Sequence, residues 1–184
     1  MLRIRKHNDI VKYCKRHAIT IKDFNEPVEI TNGVKSCDGL FKGCSSFNQH
    51  VMIPQSVKSC VRMFEDCISF NQTVVIPNSV TDCSNMFRNC KSLNSFVKIS
   101  ESALYCNSMF YNCETFNQMI IIPDSVKEAI TMFVHCRSLN NIIVVPSAIE
   151  DCMFMLAGCD AMGDEYIIGK VDDEYIIRKG DNAN

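Results

Sequence analysis

Six cysteines, Cys44, Cys67, Cys90, Cys113, Cys136 and Cys159, follow one another at intervals of 23 residues. Cys37, Cys60, Cys83 and Cys106 keep the same step, which Ala129 interrupts and Cys152 resumes. Of twelve cysteines only Cys14 lies outside these two columns. Phe41, Phe64, Phe87, Phe110, Phe133 and Leu156 form a third column, and Leu40, Met63, Met86, Met109, Met132 and Met155 its neighbour. Phe47, Phe70, Leu93, Phe116, Leu139 and Met162 follow, with Asn48, Asn71, Asn94, Asn117 and Asn140 beside them. No insertion or deletion breaks the step across six units. A segment of this size cannot bury its apolar side alone, whereas stacked copies share one continuous core.

Each unit reads approximately V-x-I-P-x-S-V-x-x-C-x-x-M-F-x-x-C-x-S-F-N-Q. Val51/Ile53, Val74/Ile76, Val97/Ile99, Ile120/Ile122 and Ile143/Val145 are apolar pairs two residues apart, the side-chain period of a strand. Pro54, Pro77, Pro123 and Pro146 follow at once and stop the strand, since proline has no amide hydrogen for a ladder. Ser100 takes that place in one unit. The Met-Phe-x-x-Cys stretch predicts a short helical turn. The asparagine column is expected to turn inward and satisfy buried backbone groups at the bend into the strand. The period falls within the 20–29 residues of leucine-rich repeats, in which each turn adds a strand to a parallel sheet. At a strand spacing of ~4.8 Å, six turns make a short rod of about 25–30 Å whose two ends need closing.

Val80-Thr-Asp-Cys-Ser-Asn-Met-Phe-Arg-Asn-Cys-Lys-Ser-Leu-Asn, the Ser-Phe-Asn-Gln at 46–49 and 69–72, and the Ile-Pro-x-Ser-Val at 53–57 and 76–80 resemble the BspA-like leucine-rich repeats. Repeats of that kind occur in bacterial surface proteins, mycoplasma lipoproteins and some protists. The resemblance covers about residues 28–162 and speaks to fold far more than to function. The expected fold is a leucine-rich-repeat solenoid of about six 23-residue turns, with a short parallel β-sheet and short helical turns. Residues 1–27 form a basic helical N-terminal cap, 28–162 the repeats, and 163–184 an acidic β-hairpin cap and tail.

The cysteines admit three readings. Neighbouring turns bring like cysteines within about 5 Å, a distance a disulfide can span, but side chains stacked in parallel would strain one bridge per turn. Zinc motifs use closer pairs than the Cys-x6-Cys found within a unit, and no histidine recurs at the period. A buried, reduced ladder of small apolar side chains is therefore expected. So many free thiols fit a reducing cytoplasm, which would be the host's for a viral protein. No apolar signal core follows Met1-Leu-Arg-Ile-Arg-Lys, and the longest apolar runs are far too short to span a bilayer.

If Val51 and its equivalents face the core, two neighbouring columns face solvent. One reads His50, Thr73, Phe96, Met119, Ile142; the other reads Met52, Val75, Lys98, Ile121, Val144. A wet sheet face should be polar, yet Phe96, Met119, Ile121, Ile142 and Val144 are apolar and adjacent. Such a patch marks a contact surface for another protein or a second copy, unless a segment of the same chain covers it. The columns Lys42, Glu65, Arg88, Tyr111, Val134 and Gly43, Asp66, Asn89, Asn112, His135 show no consistent chemistry and read as solvated surface.

Net charge is −2, but residues 1–22 carry seven Lys/Arg against Asp9 alone, and the remainder carries 12 bases against 20 acids. Asn8 reads as the cap of a helix that places Ile10, Val11, Cys14 and Ala18 on one side. Arg3, Arg5, Lys6, Lys12, Lys15 and Arg16 then make a basic end, open to an acidic partner or nucleic acid. With few aromatics among these cations, nucleic acid is the weaker reading. At the other end, Asp164-Glu-Tyr-Ile-Ile-Gly-Lys and Asp173-Glu-Tyr-Ile-Ile-Arg-Lys read as two arms of a β-hairpin. Tyr166 and Ile168 continue the strand columns, so the first arm is expected to be the last strand of the stack.

His7, His17, His50 and His135 lie near no nucleophile motif, and seven glycines supply no phosphate-cradling loop. No catalytic residue, metal or cofactor is expected. The chain reads as a binding module that works by occupying a partner. It could be an adaptor, an inhibitor of a host macromolecule encoded by a phage or pathogen, or a self-associating structural subunit, with a homodimer as the simplest self-complex.

Overall fold

The computed structural model describes residues 1–162, 166–171 and 174–179. Its eight strands are β1 (Leu2–Ile4), β2 (Val28–Ile30), β3 (Val74–Val75), β4 (Val97–Lys98), β5 (Ile120–Ile121), β6 (Ile143–Pro146), β7 (Tyr166–Val171) and β8 (Glu174–Lys179). One α-helix, α1 (His7–His17), is present among the described residues.

Successive 23-residue units lie one upon the next, held chiefly by a ribbon on the side away from the strands. Cys37, Gly39, Phe41 and Gly43 donate their N–H groups to the carbonyls of Ser59, Val61, Met63 and Glu65, at 2.8–2.9 Å. The same four bonds join every following pair of units, ending with Ala129, Thr131, Phe133 and His135 on Asp151, Met153, Met155 and Ala157. Within each unit the intervening amides turn back three residues, as Met63, Glu65 and Cys67 do onto Cys60, Arg62 and Phe64. Parallel bridges run down the same side through Ser36, Ser59, Asp82, Tyr105, Glu128 and Asp151.

This corrects the expected helical turn. A helix would direct every N–H along its own axis, whereas here alternate amides leave for the neighbouring unit. Positive φ makes that possible. It recurs at Gly39, Arg62, Asn85, Ser108, Thr131 and Phe154, and again at Gly43, Asp66, Asn89, Asn112, His135 and Gly158. The second series is the column that showed no chemistry in the sequence. Its Gly, Asp, Asn and His are the residues that tolerate the left-handed region, so its logic lies in the backbone.

The strands contribute less. β1 pairs with β2, β3 with β4 and β5 with β6, all parallel, but the ladder is interrupted between these pairs. Val51 and Ile53 are buried without forming a strand. The expected continuous sheet is thus a row of short parallel pairs, because two-residue strands share few bonds and the ribbon sets the stacking. Where proline ends a strand its carbonyl accepts the amide three residues on, as Val57, Val80 and Val126 show at 3.0 Å. Ser100 does the same for Ala103, and its buried hydroxyl donates to the Val80 carbonyl at 2.7 Å.

The core repeats with the chain. Phe41, Phe64, Phe87, Phe110 and Phe133 stack with centroids 5.2–5.6 Å apart, close to the strand spacing. Met63, Met86, Met109 and Met132 fill the space beside them and are fully buried. Phe24 stacks on Phe47 at 5.9 Å, and the Asn25 side chain accepts the Asn48 amide. The pattern therefore begins one unit earlier than the columns read from the sequence, and Phe24-Asn25 standing 23 residues before Phe47-Asn48 is the signal that would have shown it.

At the N-terminal end, α1 buries Ile10 and Cys14, with Val11 half-buried. Two details differ from expectation. The helix is capped at Lys6 rather than Asn8, with the Asp9 carboxylate accepting the amides of Arg5 and Lys6 at 2.8 and 3.1 Å. Ala18 is an exposed left-handed C-cap, so it leaves the buried side. At the other end, β8 rather than β7 lies against β6, antiparallel, with Ile143 opposite Ile177; β7 pairs only with β8. The first hairpin arm is therefore not the last strand of the stack, because the antiparallel second arm occupies that edge.

Candidate functional site

The alternation of the short strands decides which side chains leave the core. Val74, Val97, Ile120 and Ile143 point inward and are at most 3% exposed. Their neighbours point out: Met52 is 79% exposed, Val75 59%, Phe96 52%, Met119 49%, Ile121 55% and Ile142 38%. His50, Thr73 and Lys98 are exposed with them. Val144 is only half-buried outward surface, since β8 runs alongside and sets Ile176 opposite it, itself half-buried. The apolar strip thus spans from the first turns to the hairpin.

Two depressions lie on this strip, both where the strand ladder is interrupted. One, of about 250 Å³, lies between β4 and β5 and is walled by Phe96, Met119, Ile121 and Pro123. Lys98 and Glu101 close its rim as an ion pair at 3.4 Å. The other, of about 440 Å³, lies between β2 and residues 50–55 and is walled by Met1, Ile30, His50 and Met52. Each is a shallow apolar hollow with a polar rim.

The basic end is spread over α1 and β1. Arg5, Lys6, Lys12, Lys15 and Arg16 are exposed, while Arg3 is tied to Glu29 at 3.0 Å. These cations stand at the N-terminal end of the stack and do not join the apolar strip.

Cys67, Cys90, Cys113, Cys136 and Cys159 donate their thiols to the carbonyls of Phe41, Phe64, Phe87, Phe110 and Phe133 at 3.0–3.1 Å. Burial pushes the Cys44 thiol up to about 12 and Cys159 to about 11, and raises Cys67, Cys90 and Cys136 as well. The first column is raised at Cys60 and Cys106 by hydrogen bonds to the preceding cysteine and by burial. A thiol held protonated is neither nucleophile nor ligand. Among the described residues no three His, Cys, Asp or Glu side chains gather in a metal-binding group.

The histidines are scattered. His7 binds the Leu40 carbonyl through Nδ1 at 3.1 Å, His17 stacks on Tyr13, His50 lies on the strip, and His135 meets the edge of Tyr111. The outer turn surface is stitched between units by pairs 23 residues apart, Lys42–Glu65, Lys91–Glu114, Lys127–Glu150 and Arg137–Asp160. Arg88 lies 4.1 Å over the Tyr111 ring. Sequence reasoning missed these pairs, although the step of 23 was available to find them.

The family described as "Mycoplasma protein of unknown function, DUF285" matches residues 12–122 and again 75–166. The chain belongs to that family. The two matches overlap over 75–122, as expected when a DUF285 unit several turns long is laid on an array of equal turns. No curated protein and no solved structure matches the chain. No helix of this DUF285 protein, among the described residues, is long and apolar enough to cross a membrane.

Proposed function

We propose that this DUF285 chain is a BspA-like leucine-rich-repeat solenoid that works without chemistry of its own, by holding another protein against its apolar strand face. The observation behind this reading is the exposure of Met52, Val75, Phe96, Met119, Ile121 and Ile142 as one strip on a molecule whose core is otherwise filled. An apolar strip of this kind is costly in water and is retained where a partner covers it. The two hollows beside Phe96 and His50 give that partner places to anchor. The buried thiols suit a reducing compartment, and we assign the protein to the cytoplasm on that account.

The test is the double variant Phe96→Asp with Ile121→Asp. Association, read as light-scattering mass for a self-complex or as co-purification with a partner, should be lost, with the melting temperature changed by no more than about 2 °C. A large fall in melting temperature with association intact would show that the strip is structural. A concentration-dependent dimer of the parent chain, abolished by the same variant, would identify the partner as a second copy.

A further inference from the structure

The ribbon is polar. In every unit its carbonyls point toward the N-terminal end of the stack and its N–H groups toward the C-terminal end, and each N–H row from the first unit to the fifth is met by the carbonyls of the next. In the sixth, the equivalent donors are Cys152, Phe154, Leu156 and Gly158, and their amides have no acceptor among the described residues. The ends are treated differently. At the N-terminal end α1 lies over the first turn, and His7 meets the Leu40 carbonyl. At the C-terminal end β8 closes the strand side against β6, while among the described residues none pairs with the ribbon side.

Its side chains are wrong for an end that faces water. The terminal turn of a repeat array needs a polar outer surface; inside the stack the two positions concerned read Asp38, Val61, Ser84, Asn107 and Ile130, and Gly39, Arg62, Asn85, Ser108 and Thr131. In the last turn they are Met153 and Phe154, 58% and 68% exposed, beside Cys152, the one exposed cysteine. Phe154 also has φ 56, a left-handed conformation that a bulky side chain adopts at a cost. Unpaired donors at regular spacing with exposed apolar side chains form an edge that another backbone can extend.

We propose that residues 151–159 form a docking edge for the ribbon half of a like 23-residue turn, supplied by a different chain whose carbonyl edge is uncovered. The occupant follows from the molecule itself, which seats such a turn on such an edge five times over. A second copy of this chain is the poorer occupant, because His7 already holds the Leu40 carbonyl of its N-terminal edge and two C-terminal edges would oppose donor to donor. The strip bearing Phe96 takes no part.

Amide hydrogen exchange on the full chain tests this, with a peptide copying Tyr105–Phe116 as probe, under reducing conditions. In the free protein the amides of Cys152, Phe154, Leu156 and Gly158 should exchange at least about tenfold faster than those of Ala129, Thr131, Phe133 and His135. Millimolar peptide should slow the first four severalfold, and a scrambled peptide should not. Phe96→Asp should leave the effect intact, and Leu156→Asp should remove it. Full protection in the free chain would mean that its own C-terminal segment covers the edge, and protection that rises with protein concentration would mean self-association. Either result, or no response to the peptide, or an equal response to the scrambled one, overturns the proposal.

Discussion

Arg62 has φ 57, while one turn earlier Gly39 holds the same place at φ 58. A side chain in the left-handed region costs about 1 kcal/mol relative to glycine, and the guanidinium recovers little through Glu65 at 3.8 Å, since that largely buried carboxylate is held more closely by Lys42 at 2.7 Å. Arg62→Gly should therefore stabilise the protein by about 1 kcal/mol, read as a higher denaturant midpoint with unchanged slope. The thiols make a second residue-level prediction. Burial raises Cys44 from 9.0 to about 12, so the folded chain keeps a proton that the unfolded chain loses. A group whose folded pKa is raised contributes fully below the unfolded value and loses its contribution as pH rises toward the folded one. Stability should be flat below about pH 9 and then fall toward pH 12, by about 1.4 kcal/mol per pH unit for each thiol held in this way. Denaturation curves at pH 8, 9 and 10 in reductant measure the slope. A flat profile would show that the thiols titrate as freely folded as unfolded.

Among the elements, the asparagine ladder departs most from its expected form. Its side chains do not turn inward; most are exposed and lie along the stack, each Oδ1 accepting the backbone amide of the next asparagine at 2.8–2.9 Å. Asn71 also accepts the Ser95 hydroxyl at 2.8 Å. Asn71→Ala should cost about 1–2 kcal/mol, and Asn71→Asp, which keeps the acceptor, should restore most of it; equal losses would assign the effect to packing. The sequence showed that asparagine recurs but not where its oxygen points, because direction depends on backbone angles that a column of letters does not carry. The same limit explains the ribbon. Met-Phe-x-x-Cys has helical spacing, and only the positive φ values at Arg62 and Asp66 turn alternate amides out to the next unit. Inward and outward strand residues were legible, since a period of two leaves few choices once Val-x-Ile-Pro is recognised. The hairpin arm on β6 was not, because Tyr166-Ile-Ile and Tyr175-Ile-Ile are nearly the same words and pairing direction decides between them.

For the whole molecule, stability resides in one type of interface repeated between like neighbours. Removing residues 75–97, one full period, should leave a folded stack one turn shorter with a lower melting temperature. Removing residues 75–96 should abolish cooperative unfolding, since the single surplus residue puts every later inward side chain on the wrong side. Circular dichroism melts of the two deletions separate these outcomes, and equal behaviour would mean that the register is not held by the ribbon. The thiol donors have a kinetic consequence. Each reaches a carbonyl only 26 residues back, and the other braces span much the same interval. Closing a loop of about that size is the largest entropic step between one winding and the next, however many windings there are. Assembly can begin at any winding and spread like a zip fastener, so lengthening such a protein by duplication should barely slow its birth.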